Sequence, residues 1–343
     1  MPRFLVLRFS SIGDIVLTTP VIRCLKQQVK DAEVHYATRD VYAEVIVHNP
    51  YIDKIKLLGS DLSLFINELK KEKYDYIIDL HHNLRTMMIK TRLGTKSVSF
   101  NKLNFEKWLM VNFKINRLPA VHIVDRYMKT IQPFGVTNDG LGLDYFLSMK
   151  DETAVQQLPS SHQNGYIGFV IGAGHFTKQL PLEKIISVCK KINQPIVLLG
   201  GKEDHEKGEA IVRQLNSKPT KAGLAESVSE NPKTDIYNGC GKFSINQSAA
   251  LVKHARKIIT HDTGLMHVAA AFKKEIISIW GNTIPEFGMT PYFGNQQVNH
   301  QKFEINNLRC RPCTKIGYDK CPKGHFKCML QMDEQKIADA VAS

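Results

Sequence analysis

The chain has 343 residues, 43% hydrophobic and 23% charged, with a formal net charge of +13. That length exceeds what one core organises, so two domains are expected, and the composition is that of an ordinary globular enzyme. No apolar run approaches the roughly 20 residues of a membrane-spanning helix, and seven cysteines fit reduced thiols better than a disulfide scaffold. The first apolar stretch, residues 4–7, is broken by Arg8 and lacks a small-residue cleavage site after it. It therefore reads as a strand and not a signal peptide, and the protein is expected to begin near Met1 and stay in the cytoplasm.

Strands are predicted over 3–7, 33–37, 54–58, 75–80 and 96–100, with helices over 15–29, 42–47, 62–72 and 84–93. Runs such as YDYIIDL are apolar on both faces, as strands buried between helix layers must be. Such alternation implies right-handed crossovers and a parallel sheet. From Arg85 to Leu118 eight Lys/Arg (85, 90, 92, 96, 102, 107, 114, 117) face Glu106 alone, interleaved with Met87, Met88, Phe100, Phe105, Trp108, Leu109, Met110 and Phe113. Basic and apolar residues at helical spacing suit an anionic membrane surface or an acidic substrate; a solubilising face over ordinary core is the plainer alternative. Nucleic acid is not expected, because no recognition motif accompanies the charge.

Around 147–165 the pattern gives way to a polar stretch with Pro159, Asn164 and Gly165, read as a linker between a first domain, 1–155, and a second, 156–343. Strands resume at 166–171, 195–199, 235–237, 257–260 and 276–280. Ser244, with Gln247 three residues on, forms a capping box for a helix to His254. Two α/β halves of this kind place a ligand in a cleft outside the carboxyl ends of their strands.

Four loops carry candidate chemistry. RFSSIGDIVLTTP leaves the first strand at the phosphate-loop position of a dinucleotide fold, yet it holds only Gly13 of the GxGxxG pattern, which argues against a nicotinamide-dependent oxidoreductase. Asp14 stands there instead, either as a general base for an attacking hydroxyl or as the N-cap of the next helix. HDTGLMHVAAAF offers Thr263, Gly264 and the following amides as a phosphate-binding helix terminus, with His267 one turn in, or is an ordinary capped helix. In GAGHFTKQLP, Lys178 is a counter-charge for a leaving diphosphate or a surface lysine. GGKEDHE supplies Glu203, Asp204 and Glu206 as candidate acceptors for ribose hydroxyls.

In that order RFSSIGDIVLTTPVIRCL, DLHHNLRT, GAGHFTKQLP, LLGGKEDHE and HDTGLMHVAAA, with the later CRPC…CPKGHFKC, resemble the heptosyltransferases of lipopolysaccharide-core synthesis, glycosyltransferase family 9, over nearly the whole chain. The resemblance implies the GT-B fold, two Rossmann-like α/β domains facing each other across a cleft, and metal-independent transfer of heptose from ADP-heptose with inversion. It implies no cofactor, and as partners a nucleotide-sugar donor, an acidic glycolipid acceptor and the inner face of the cytoplasmic membrane, with peripheral attachment. Residue by residue, Asp14 takes the place of the catalytic base and Lys178 that of the lysine on the donor phosphates. Asp262, Thr263, Gly264 and His267 match the donor-binding DTGxxH. Glu206 matches the ribose-binding glutamate, with Glu203 its rival, and Phe243 falls where adenine is held. Gly13 and Gly174 join the donor-binding set; Ser11, His82 and Arg85 form the acceptor-facing set. Where the family often has tryptophan after the lysine motif, this chain has Leu180. A different nucleotide sugar, or a non-catalytic nucleotide-sugar-binding protein, are the competing readings. Cys310, Cys313, Cys321 and Cys328, near His325, could hold zinc, though only one CxxC is present; a cluster of buried thiols is the alternative.

Overall fold

The computed structural model describes residues 1–216 and 235–343. The chain forms two compact units: residues 1–148, 267–273 and 285–298, and residues 149–266, 274–284 and 299–343. In the first unit β1 (Arg3–Leu7), β2 (Glu33–Arg39), β3 (Lys54–Leu58), β4 (Tyr76–Asp79) and β5 (Lys96–Ser99) make a sheet of order β3-β2-β1-β4-β5. Every pairing is parallel. β1 is buried from Phe4 onward, which its apolar sequence permits.

The helices here are α1 (Ile12–Val16), α2 (Thr19–Gln28), α3 (Leu62–Lys71), α4 (Leu84–Leu93), α5 (Asn104–Phe113) and α6 (Ile123–Met128). The one helix expected over 15–29 is two. Pro20 has no N–H to continue a helical ladder, and it sits in the first turn of α2, where none is needed. The helix expected over 42–47 is a 3₁₀ turn, Asp40–Val45. Arg23, 2% exposed, ties the end of the unit's first segment to α2 through Asp139 (2.7 Å), Asp144 and the Gly142 carbonyl. A cavity of about 290 Å³ is lined in part by Phe100, Leu103, Pro119, Arg126 and Lys129.

The second unit's sheet contains β6 (Ile167–Val170), β7 (Ile196–Leu199), β8 (Ile236–Asn238), β9 (Lys257–His261), β10 (Glu275–Trp280) and β11 (His300–Glu304), in the order β11-β10-β9-β6-β7-β8. All are parallel. Counted within the unit this is the 3-2-1-4-5-6 arrangement of dinucleotide-binding folds. Along the same part of the chain run α7 (Met149–Glu152), α8 (Ser160–Gln163), α9 (Leu182–Lys190), α10 (His205–Asn216), α11 (Ile245–His254), α12 (Gly264–Ala271), α13 (Lys327–Leu330) and α14 (Glu334–Ala342). Residues 147–165, read as a polar linker, hold α7, α8 and a 3₁₀ turn, Thr153–Gln157. They are anchored by buried Ala154, Leu158 and His162 and by Glu152, which meets His254 of α11 at 2.7 Å. Among the described residues, no helix is long and apolar enough to cross a membrane.

Candidate active site

In each sheet the direction of strand addition reverses between two neighbours, β1 and β4 in the first unit and β6 and β9 in the second. Loops leaving the carboxyl ends of such a pair diverge and leave a crevice for ligand. Most of the candidate residues lie on these loops; Glu206 and Phe243 follow β7 and β8.

After β1, Ser11 caps α1 and Asp14 is the helix's third residue, so Asp14 is not the N-cap. One carboxylate oxygen of Asp14 accepts from the Ser11 amide (3.2 Å) and hydroxyl (2.8 Å). The other lies 2.6 Å from Arg8 Nη2. Arg8 is only 7% exposed and is fixed from several sides, donating to the carbonyls of Ser10 and Leu80 and to the Tyr127 hydroxyl (2.9 Å). Burial pushes the Asp14 carboxyl up, but Arg8, the Ser11 bonds and His267 outweigh it and hold the group below the usual carboxylate range. With its side chain 20% exposed, Asp14 presents an oriented anion to solvent. Gly13 is buried beside it in α1. Sequence reasoning missed Arg8 and Tyr127. A charged residue closing an apolar strand was a usable signal for Arg8; nothing pointed to Tyr127.

After β4, fully buried Asp79 accepts from the amides of His81 (3.1 Å) and His82 (2.7 Å) and pairs with Lys90 at 2.8 Å, which shapes the loop. His82 Nδ1 lies 2.9 Å from the Phe100 carbonyl. A carbonyl only accepts, so this nitrogen carries a proton. Asn83 caps α4, accepting from Thr86 at 3.0 Å. Arg85, exposed in that first turn, opposes the helix dipole, so helix stability does not explain its position.

In the second unit Lys178 ends a 3₁₀ turn after β6, and its Nζ is 2.6 Å from Asp262 Oδ2 at the end of β9. The same oxygen accepts from Thr283 Oγ1 at 2.9 Å, a partner that the sequence did not suggest. Thr263 precedes α12, which opens at Gly264. A Cβ added at Gly174 would meet nothing within 4 Å, so local packing does not demand glycine there. The three acidic candidates separate. The Asp204 carboxylate fills the space where a Cβ on Gly172 or Gly200 would lie and accepts from the Gly201 amide at 2.9 Å, so it braces the loops. Glu203 and Glu206 are exposed, Glu206 in the first turn of α10.

Half-buried Phe243 precedes the capping box, whose two bonds are 3.0 Å (Ser244 N–H to Gln247) and 3.3 Å (Gln247 N–H to Ser244). Leu180 is a core residue, 1% exposed, whose amide donates to buried His261 at 2.9 Å. Asn282, also 1% exposed, has no hydrogen-bond partner for either side-chain amide atom among the described residues. Its backbone joins Thr177, beside Lys178, to Cys313.

The order of these groups along the sheet edge follows the strand order. Asp262 to Gly264 follow β9, Lys178 follows β6, Glu206 follows β7 and Phe243 follows β8, and those four strands are successive neighbours. At about 4.8 Å per strand, three steps span roughly 14 Å.

The late cysteines are all thiols. Cys310 Sγ lies 3.6 Å from His325 Nε2, Cys313 donates to the Cys310 carbonyl, and Cys321 accepts from the Phe326 amide. Burial, with Cys313 and Cys321 nearby, pushes the Cys328 thiol up to about 12. Among the described residues no three His, Cys, Asp or Glu side chains are grouped as metal ligands.

The model of glycosyltransferase family 9 (heptosyltransferase) matches residues 63–318. The chain belongs to this family. The matched span contains His82, Arg85, Lys178, Glu206, Phe243 and the Asp262 loop, and begins after Asp14. This family 9 glycosyltransferase is 23% identical to lipooligosaccharide heptosyltransferase 2 of Haemophilus ducreyi, over 98% of this chain and 97% of that one. It is 24% identical to lipopolysaccharide heptosyltransferase 3 of Escherichia coli, over 79% and 80%. Among solved structures, the family 9 glycosyl transferase of Veillonella parvula superposes with a TM-score of 0.74 at 22% identity, covering 99% of this chain and 96% of that one. ADP-heptose lps heptosyltransferase II of E. coli gives 0.71 at 17%, covering 99% and 97%. At such identities the likeness is one of fold, the GT-B type with two Rossmann-like parallel α/β units.

Proposed function

We propose that this glycosyltransferase moves heptose from ADP-heptose to an acidic lipopolysaccharide inner-core acceptor, inverting the anomeric centre, at the cytoplasmic face of the inner membrane. The supporting observation is the order of groups along the second sheet's edge. A diphosphate at Asp262–Lys178 and the α12 terminus puts the ribose beside Glu206 and the base beside Phe243, and roughly 14 Å of edge suits an extended nucleotide sugar. The relatives' names, two of them lipooligosaccharide and lipopolysaccharide heptosyltransferases, support the donor sugar and the acceptor class.

In this reading an acceptor hydroxyl attacks the anomeric carbon, its proton passes to Asp14, and the bond from that carbon to the diphosphate oxygen breaks on the opposite face. The charge growing on departing ADP meets Lys178 and the amides from Gly264 onward. The Asn282 amide supplies a further polar contact to the donor. Ser11, His82 and Arg85 hold the acceptor, Arg85 against its acidic group. The cationic work is assigned to protein groups, so chelation with EDTA should leave turnover unchanged.

The test is a calorimetric panel of nucleotide sugars, followed by ADP release with and without acceptor. ADP-heptose should bind best, and release should depend on acceptor. Asp14→Ala should still bind ADP while turnover falls about 10²–10⁴-fold; retention of more than about a tenth of the wild-type rate would remove Asp14 as the base.

A further inference from the structure

α5 has no buried residue. Phe105, Trp108 and Phe113 are 63%, 50% and 58% exposed, and Ile115 just after is 47% exposed. They form one cluster, with Phe105 stacked on Trp108 (centroids 6.2 Å) and Trp108 meeting Phe113 edge-on at 5.2 Å. Scattered surface apolar groups need no explanation, but an aromatic cluster in water does. A ten-residue helix is marginal in water without a packed face.

The charge around the cluster indicates what covers it. Lys102, Lys107, Lys114 and Arg117 flank it against Glu106 alone, and Lys107 Nζ reaches back over the Phe287 ring at 5.8 Å. The segment leaves and rejoins the unit at Leu103 and Pro119, on the rim of the 290 Å³ cavity. There the Arg126 guanidinium, on a residue 5% exposed, bonds the carbonyl oxygens of Asn101 and Phe287, and adds buried positive charge at the root. A protein partner would have to match both an aromatic knob and a surrounding ring of cations. An anionic lipid surface matches both without further requirement, because its interface takes aromatic rings and its phosphates take cations.

We propose that residues 104–118 are a membrane-docking arm, whose aromatic cluster enters the interface of an anionic bilayer while the flanking cations neutralise lipid phosphates. Its purpose rests on the proposed glycolipid acceptor; its binding does not. The arm inserts, so attachment is not electrostatic alone and is only partly reversed by salt.

The chain has two tryptophans, and Trp280 is 1% exposed, so a change in emission on adding vesicles reports Trp108. With phosphatidylcholine vesicles containing about one-third phosphatidylglycerol, the full chain should co-sediment, its emission should shift to the blue, and lipids brominated on the acyl chains should quench it. Pure phosphatidylcholine should bind far less. The combined Phe105→Ser, Trp108→Ser and Phe113→Ser variant should bind the anionic vesicles at least about tenfold more weakly. It should keep wild-type kcat/KM on a deacylated, water-soluble acceptor and lose rate only on acceptor embedded in vesicles. Trp108 left unquenched by brominated lipid, or a triple variant that binds as the wild type does, overturns the proposal. So does a wild-type dimer that the triple substitution dissociates, since a second copy would then be the occupant. If no sugar is transferred at all, the vesicle measurements still stand, which separates failure of the function from failure of the arm.

Discussion

Asp14 is held by Arg8 on one oxygen and Ser11 on the other, and this pair of restraints sets both its aim and its charge. With its pKa depressed, Asp14 is anionic at neutral pH, and activity that needs the anion should be lost only as pH falls through that low value. Arg8→Gln removes the largest opposing influence to burial. The acidic limb of the kcat/KM profile should then move to higher pH, and a profile left unmoved would show that Arg8 does not act through Asp14. In the second unit, Asn282→Ala should weaken ADP binding by calorimetry about five- to tenfold with little change in melting temperature, since a buried amide unpaired in the free protein contributes little to its stability. Asp14 was legible as a carboxylate just past a strand; its place as the third residue of α1, behind the cap Ser11, removes the cap reading, while the role of base remains the proposal. Thr283 gave no such signal, because its bond to Asp262 is made across the sheet edge and not between neighbours in sequence.

Among the elements, the strands were the most legible: β1, β4, β6, β7, β9 and β10 are apolar runs buried on both faces. β11, HQKFE, escaped because an edge strand has half its surface to solvent and needs no apolar run. α5 was given no bounds although its segment carried basic and apolar residues at helical spacing, since a helix with no buried residue has no packed face to delimit it. The capping box of α11 was read directly from Ser244 and Gln247, and Phe243 immediately precedes it. Ser244→Ala should cost about 1 kcal/mol in denaturant unfolding, and the loss should be accompanied by weaker ADP binding if the cap also places Phe243. Unchanged nucleotide affinity would separate the cap from the site.

For the molecule as a whole, acid sensitivity follows from histidines kept neutral by burial. His261 is pushed down to about 3, and His81, His122 and His300 to about 4. Their folded values lie below the unfolded value of about 6.5, so the unfolded chain takes up protons first. Their stabilising share is complete above about pH 6.5 and shrinks as pH falls from there, by about 1.4 kcal/mol per unit for fully buried His261. Protonating His261 Nε2 would also break its bond from the Leu180 amide. Denaturant midpoints measured at pH 5 and 7.5 should differ clearly, with His261→Gln reducing the difference; equal midpoints would refute the linkage.

The first unit also draws residues 267–273 and 285–298 from far along the chain. The Ile123 amide needs the Gly288 carbonyl, His122 the Thr290 carbonyl, and Lys273 binds the carbonyls of Leu141 and Leu143. A ribosome making this protein releases the first sheet early, yet that sheet lacks its last closing piece until 150 residues later (298 against 148). A fragment ending at Ser148 should therefore unfold at lower denaturant than the same unit in the intact enzyme, and nascent chains of that length are the ones expected to require chaperones.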